Sequence, residues 1–228
     1  MSPKVVAVAN TAGGSAKTTI AHALSVATVE YGKKTLLIDC DPKASLTFRV
    51  GREGTRLTLA DFLSGTSIRS EDLDSHVERF DFLSADSRVG NGFTGEDMKV
   101  LIEKLPKSYN LVIIDTPSDI NASLKAALDV ADLVLVPYSN NLHHLRGVTQ
   151  ISKLSAETPI KLLAVGEHSK PIKEFSKWEK LDGTCSTAEE IEVAAHTTTS
   201  VLTYAKNSIV AGQLRECAYS VLEELGID

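Results

Sequence analysis

Residues 4–31 read KVVAVANTAGGSAKTTIAHALSVATVEY, and three kinds of sequence meet in them without a gap. The first is a short β-branched run, Val5 to Val8, that reads as a strand. The last is a stretch from Lys17 to Tyr31 long enough for a helix, with Gly32 as its stop. Between them lie Ala12, Gly13, Gly14, Ser15, Ala16, Lys17, Thr18 and Thr19. Strand, glycine loop and helix in this order let backbone N–H groups curl around phosphate oxygens at a helix N-terminus, where unpaired donors and the helix dipole favour anions. Lys17 adds a cation for the outer phosphates. Thr18 adds a hydroxyl for magnesium, a hard ion that prefers oxygen ligands. The plainer alternative, a tight turn followed by a solvated lysine, is disfavoured by the placement of strand and helix on either side.

Working outward, similar runs recur at Thr35 to Ile38, Leu111 to Ile114, Leu133 to Val136 and Ile160 to Val165. They are almost continuously apolar, as strands buried on both faces must be, and the stretches between them are long enough for helices. The pattern predicts an α/β fold, a doubly wound and mostly parallel sheet with helices on both faces. Crossover helices are expected at Glu96 to Leu105, Ala122 to Ala131 and Leu145 to Ala156. Thr187 with Glu190 reads as a capping box for a helix through Ala195, and Ile209 to Leu225 has helical apolar spacing. From Arg49 to Arg79 the signals are mixed, and only a short helix around Leu57 to Leu63 is expected.

The chain has 228 residues, 43% of them hydrophobic, with a mean hydropathy of -0.02. That suits one α/β domain over residues 1–228, with a more divergent part from about residue 150. No run approaches the roughly 18 apolar residues of a membrane span. The start, MSPKVVAVAN, lacks the pattern of a secretion signal. Cys40, Cys185 and Cys217 are scattered without a CxxC pair, which argues against a disulfide framework or zinc site and for a reducing cytoplasm. Cys40 reads as a small buried strand residue, and His143 and His144 as loop residues. A net charge of -6 excludes a globally basic nucleic-acid binder but leaves room for a local basic patch.

Two acidic motifs complete the constellation. Leu36-Leu37-Ile38-Asp39-Cys40-Asp41-Pro42-Lys43 brings Asp39 and Asp41 out at the carboxyl edge of the sheet, where ligands bind in open α/β folds. Leu111-Val112-Ile113-Ile114-Asp115-Thr116-Pro117-Ser118 does the same for Asp115. Each carboxylate could instead merely cap its following turn.

Ala12 to Thr18 resembles the deviant Walker A motif, KGGxxK[ST], of the ParA/MinD family of P-loop ATPases. Residues 39–43 are similar to that family's DxDPQ motif, with Lys43 replacing glutamine, and residues 111–117 to its hhhhDTP Walker B motif. The resemblance covers roughly residues 4 to 150. It implies ATP and Mg2+ as ligands, with Gly13 to Thr19 cradling the phosphates. Thr18, Asp39 and Asp115 would lie around the metal, and Asp41 would position the attacking water. It further implies a self-paired homodimer sandwiching ATP. The family's signature lysine, which acts across that dimer, falls on Ala12. Ala12 is either the natural residue of a slow member or a Lys-to-Ala replacement, the second favoured because nothing else in the loop is relaxed. Either way, hydrolysis is expected to be impaired.

Within the family, the acidic tail AYSVLEELGID is unlike the basic membrane-targeting helix of MinD, so no membrane partner is expected. The resemblance then points to the ParA branch: a cytoplasmic, nucleoid-associated plasmid or chromosome partition ATPase that binds DNA non-specifically and is released by a ParB-type centromere-binding protein. Because the motif starts within a dozen residues of Met1, the extra N-terminal DNA-reading domain of longer relatives is not expected, nor is operator recognition. Candidate DNA contacts are Lys170, Lys173, Lys177, Lys206 and Arg215, with Lys161 and Lys180 nearby. Glu174 and Glu179 interrupt this set, so an ordinary solvated surface is the competing reading. Trp178 is expected to pack in the core. The competing functions are an ATP-dependent cargo-positioning scaffold without DNA binding and a metabolic P-loop ligase of the dethiobiotin synthetase kind.

Overall fold

The computed structural model describes residues 2–69, 72–90, 92–155, 157–166 and 172–228. Five parallel strands form where the apolar runs predict: β1 (Lys4–Val8), β2 (Thr35–Asp39), β5 (Leu111–Asp115), β6 (Leu133–Tyr138) and β7 (Ile160–Val165). Three further strands, β3 (Asp74–Ser75), β4 (Asp81–Leu83) and β8 (Lys180–Cys185), complete a sheet in the order β3-β4-β2-β5-β1-β6-β7-β8. Among the described residues, only the β3–β4 pair is antiparallel. The expected doubly wound, mostly parallel sheet is therefore present.

Alternate residues of the central strands enter different cores, as a pleat requires. Val6 and Val8 pack on one face with helices α1 (Lys17–Glu30) and α9 (Ile209–Leu225). Val5 and Ala7 face the other side, covered by α3 (Leu59–Leu63), α4 (Gly95–Glu103), α5 (Ala122–Asp129) and α6 (Leu142–Leu154). Helix α1 ends at Tyr31, and Gly32 then takes a left-handed φ of 79° that a side chain would disfavour. Short helices α2 (Ser45–Arg49), α7 (Glu189–Ala194) and α8 (Val201–Tyr204) fill out the fold.

Three expectations need correction. The helix expected from Leu145 starts earlier, at Leu142, because Asn141 caps it by accepting the His144 N–H. His143 and His144 thus lie in the first turn of α6 and not in a loop. The Thr187 capping box is absent: α7 begins after Ala188, which has no side-chain acceptor. The capping box in the mixed region is instead Thr58 with Asp61, at the start of α3. Cys40 is buried as expected, just past β2. Trp178 is half-buried against the core of Tyr138 and Phe175.

A buried polar cluster ties the C-terminal helices to α1. Glu78 lies between His22 Nε2, 2.6 Å from one carboxylate oxygen, and His76 Nδ1, 3.5 Å away; all three side chains are nearly inaccessible. The other oxygen accepts the Ser200 N–H at 2.9 Å and the Thr203 hydroxyl. Burial opposes the charged carboxylate, but the His22, Thr203 and Ser200 hydrogen bonds hold Glu78 below the usual range. Burial also holds His76 below the ordinary imidazole value, against the pull of Glu78.

Both shifts act in one direction with pH. The unfolded chain takes up protons that folded His76 and Glu78 resist, so the stability contributed by this cluster is full above about pH 6.5 and falls as the solution is acidified through the imidazole range and then the carboxylate range. In thermal melts from pH 7 to 4, Glu78→Gln should lose more melting temperature than the parent between pH 7 and 5, because His76 no longer feels the pull of Glu78, and the gap should narrow at lower pH as the parent's own carboxylate takes up its proton. That variant should start roughly 2 kcal/mol or more below the parent at pH 7, because it weakens several buried hydrogen bonds to a charged group.

Candidate functional site

Register assembles the site. Val8 pairs with Asp115, and Asp115 with Asp39, so the ends of β1, β5 and β2 lie level at the carboxyl edge of the sheet. The loop leaving β1 then returns as α1. Gly14 has a φ of 73° and Ala16 a φ of 66°, so the loop uses the left-handed conformation twice, once at an alanine, where it is strained. Ala16 is also the residue before α1, and no side chain caps that helix. Its first-turn N–H groups are left for an anion.

Lys17 is buried, and its ammonium donates to the Ser118 hydroxyl at 2.7 Å. Burial lowers its affinity for a proton, while Asp115 and Asp41 act to raise it. Thr18 donates its hydroxyl to Asp115 Oδ2 at 2.8 Å. The other oxygen of Asp115 is buried with no hydrogen-bond partner, and so is Ser15 Oγ. Burial raises the Asp115 pKa, and the neighbouring Asp39 raises it further. A magnesium ion fits this donor set: a hard hydroxyl and carboxylate side by side, one carboxylate oxygen unsatisfied, at a point where negative charge is in excess.

Asp39, expected beside the metal, is engaged by its own loop. Oδ1 accepts the Asp41 N–H at 3.0 Å, and Oδ2 accepts the N–H and hydroxyl of Thr47, both at 2.8 Å. Burial still lifts its pKa to about 6 against those bonds. In this geometry Asp39 organises residues 41–47 and adds negative charge. Asp41 is half-buried, with Oδ1 accepting the Lys43 N–H at 2.9 Å. Lys43 itself reaches Asp119 at 3.2 Å in an exposed pair of little energetic weight.

Ala12 is only 1% exposed, whereas Gly13 and Gly14 are exposed with open space beside them. Thr19 accepts a hydrogen bond from the Arg49 guanidinium at 2.8 Å. Sequence reading missed Ser118, Thr47 and Arg49. Ser118 directly follows the Asp115 motif and could have been included on that ground; nothing in the sequence marks the other two.

The proposed DNA contacts divide between two faces. Lys173 and Lys177 flank Phe175, whose ring lies 4.4 Å from that of Tyr138 in the α6-side core. Lys206 and Arg215 belong to the α8–α9 region on the α1 side, where Arg215 is paired with Glu30 at 2.6 Å and donates to the Lys206 carbonyl at 2.8 Å. Lys161 is held by Glu179 and Glu224, and Lys170 lies outside the described residues. The buried neighbours of the two groups thus belong to different cores, Phe175 to one and those of α8 and α9 to the other.

Comparison with known proteins places this geometry. A family model described as an AAA domain matches residues 3–161. The chromosome partitioning protein ParA of Caulobacter vibrioides is 31% identical over 163 residues, which span 66% of this chain and 61% of that protein. The chain thus matches less than two thirds of that relative's length. Among solved structures, the septum site-determining protein MinD of Pyrococcus horikoshii, complexed with Mg-ADP, superposes with a TM-score of 0.83 at 20% identity, covering 99% of this chain and 98% of that one. Cobyrinic acid a,c-diamide synthase from Mycobacterium smegmatis, with bound ADP and magnesium, gives 0.80 at 23% identity over 98% and 96%. At those identities the likeness concerns the fold.

Crowding of buried carboxylates has a measurable cost. A carboxylate with a raised folded pKa destabilises the native state as pH rises through that value, so removing the charge should help the free protein at pH 7. Asp115→Asn, which keeps an acceptor for Thr18, should melt roughly 2–4 °C higher than the parent, while magnesium with nucleotide should no longer raise its melting temperature. A free-state melting temperature below the parent's would contradict this account of the site.

Proposed function

This chain belongs to the ParA/MinD family of P-loop ATPases, and we propose that it is a ParA-type partition ATPase that binds ATP with magnesium at the loop between β1 and α1. The observation that carries the reading is the Thr18–Asp115 pair, with its unsatisfied carboxylate oxygen beside the uncapped start of α1. The ADP and magnesium bound in the two solved neighbours support it. The likeness to a chromosome partitioning protein supports the partition role.

Each residue then has a task. The uncapped N–H groups of α1 and the exposed Gly13–Gly14 backbone hold phosphate oxygens, and Lys17 neutralises the outer ones. Thr18 and Asp115 hold the metal, which when bound draws charge from the phosphates as a Lewis acid. Asp41, its carboxylate oriented by the Lys43 amide, orients the attacking water. Phosphoryl transfer relies on positioning and charge stabilisation more than on proton removal, so a single missing cation weakens it sharply. Ala12 is that missing cation. Two copies of the chain sandwich ATP, the dimer holds DNA through phosphate contacts, and a ParB-type partner stimulates hydrolysis to release it. Because of Ala12, turnover is slow.

DNA retention at low and moderate salt, measured without nucleotide, with ADP and with ATP, tests the reading on this chain beside Ala12→Lys. The expected result is that Ala12→Lys holds DNA only with ATP, more weakly at higher salt, and hydrolyses ATP at least about tenfold faster than the parent. If neither protein holds DNA under any condition, partition is wrong, and the likeness to the diamide synthase turns the search towards a metabolite.

A further inference from the structure

We propose that helix α6 positions the phosphate loop, acting through Gly147 and Gln150 on residues 10–12; the proposal rests on the nucleotide reading above. Asn10 is fully buried at the point where β1 gives way to the loop. Its side chain joins two segments: Oδ1 accepts the Ala12 N–H at 2.8 Å, and Nδ2 donates to the Pro137 carbonyl at 2.8 Å. The first turn of the loop is thereby fastened to β6.

Helix α6 passes directly over this turn. A Cβ atom on Gly147 would lie 2.0 Å from Asn10 Oδ1 and 3.0 Å from the Ala12 nitrogen. The first distance is far inside van der Waals contact and involves an oxygen that already accepts the Ala12 N–H, on a side chain whose Nδ2 is bonded in turn to Pro137. Gly147 does not have a positive φ. Glycine is therefore needed here for space and not for backbone freedom, at a mid-helix position where it lowers helix stability relative to alanine. One turn further along, Gln150 Oε1 accepts the Thr11 hydroxyl at 2.6 Å. The helix is itself anchored to the end of β6, where His144 Nδ1 accepts the Ser139 N–H at 2.7 Å.

The loop is thus held by different elements at its two ends. Its back half is fixed by β5 and the following turn, through Asp115 on Thr18 and Ser118 on Lys17. Its front half is fixed by α6. Gly147, Gln150 and Asn10 are positioning residues: they touch no phosphate, but they set the curvature that aims the loop's N–H groups.

The test is titration with a fluorescent ATP analogue and magnesium, with circular dichroism to verify folding. Gly147→Ala and Asn10→Ala should each weaken binding at least tenfold. The double variant should bind within twofold of Asn10→Ala alone, because the 2.0 Å clash goes with Oδ1 and only the 3.0 Å approach to the Ala12 nitrogen remains; a further tenfold loss would mark a general packing defect and overturn the proposal. In the milder pair, Gln150→Ala and Thr11→Val should weaken binding to a similar degree, about threefold or more, while Thr11→Ser, which keeps the hydroxyl, should bind like the parent. If the unaltered chain does not bind the analogue, the nucleotide reading itself falls. If it binds and Gly147→Ala binds equally well while melting higher, as helix propensity alone would give, only the role of α6 falls.

Discussion

Parallel pairing puts Val8, Asp115 and Asp39 in one row, and the chemistry of the site depends on that register. Side chains alternate along each strand: Leu37 and Ile113 face the α1 side, and Ile38 and Ile114 face the α3–α5 side. Asp39 and Asp115 therefore both turn towards α1, where Thr18 waits. A slip of one residue in β5 would send Asp115 to the opposite face and leave Thr18 without its partner. The cost is two carboxylates side by side at 0% and 1% exposure. Burial disfavours the charge of both, Asp39 adds to the rise at Asp115, and Asp41 adds to the rise at Asp39. The free protein tolerates this arrangement, and a divalent cation resolves it.

Much of this was legible in the sequence because it is local. A strand, a glycine loop and a helix following one another between residues 4 and 31 need no knowledge of the rest of the chain. Apolar runs mark buried parallel strands whatever their order, and the aspartates ending them fall at the ligand edge of any doubly wound sheet. What was not legible depends on distant partners. The role of Asp39 turns on Thr47, eight residues away and without a motif. Helix α6 begins three residues before its apolar spacing suggests, because an asparagine cap outweighs periodicity. Strands β3, β4 and β8 are short or carry polar residues, and so lack the continuous apolar signature.

The C-terminal region, where the family match ends, is joined to the site by polar as well as apolar means. Helix α9 packs along α1 and β8, and Cys217 lies so close beneath Gly183 that a Cβ there would approach the sulfur to 2.9 Å. Glu78 adds the tie from Ser200 and Thr203 to His22, five residues along α1 from Lys17. A buried network of this kind is satisfied in one arrangement and penalised in others. It fixes how the C-terminal end of the chain sits against the helix that begins at Lys17.

The borders of the sheet bear on how copies of the chain can meet. At one border lies β3, only two residues long and antiparallel to its neighbour. At the other lies β8, with Lys180 and Asp182 exposed and an irregular register against β7 around residues 162–164. Short borders, charged borders and kinked borders are poor templates for a further strand. Neither end of this sheet invites continuation into another molecule, which protects the chain from runaway fibrillar growth at high concentration. Any association of two copies would fall to helices and loops, whose surfaces a bound ligand can remodel and whose contacts can be undone.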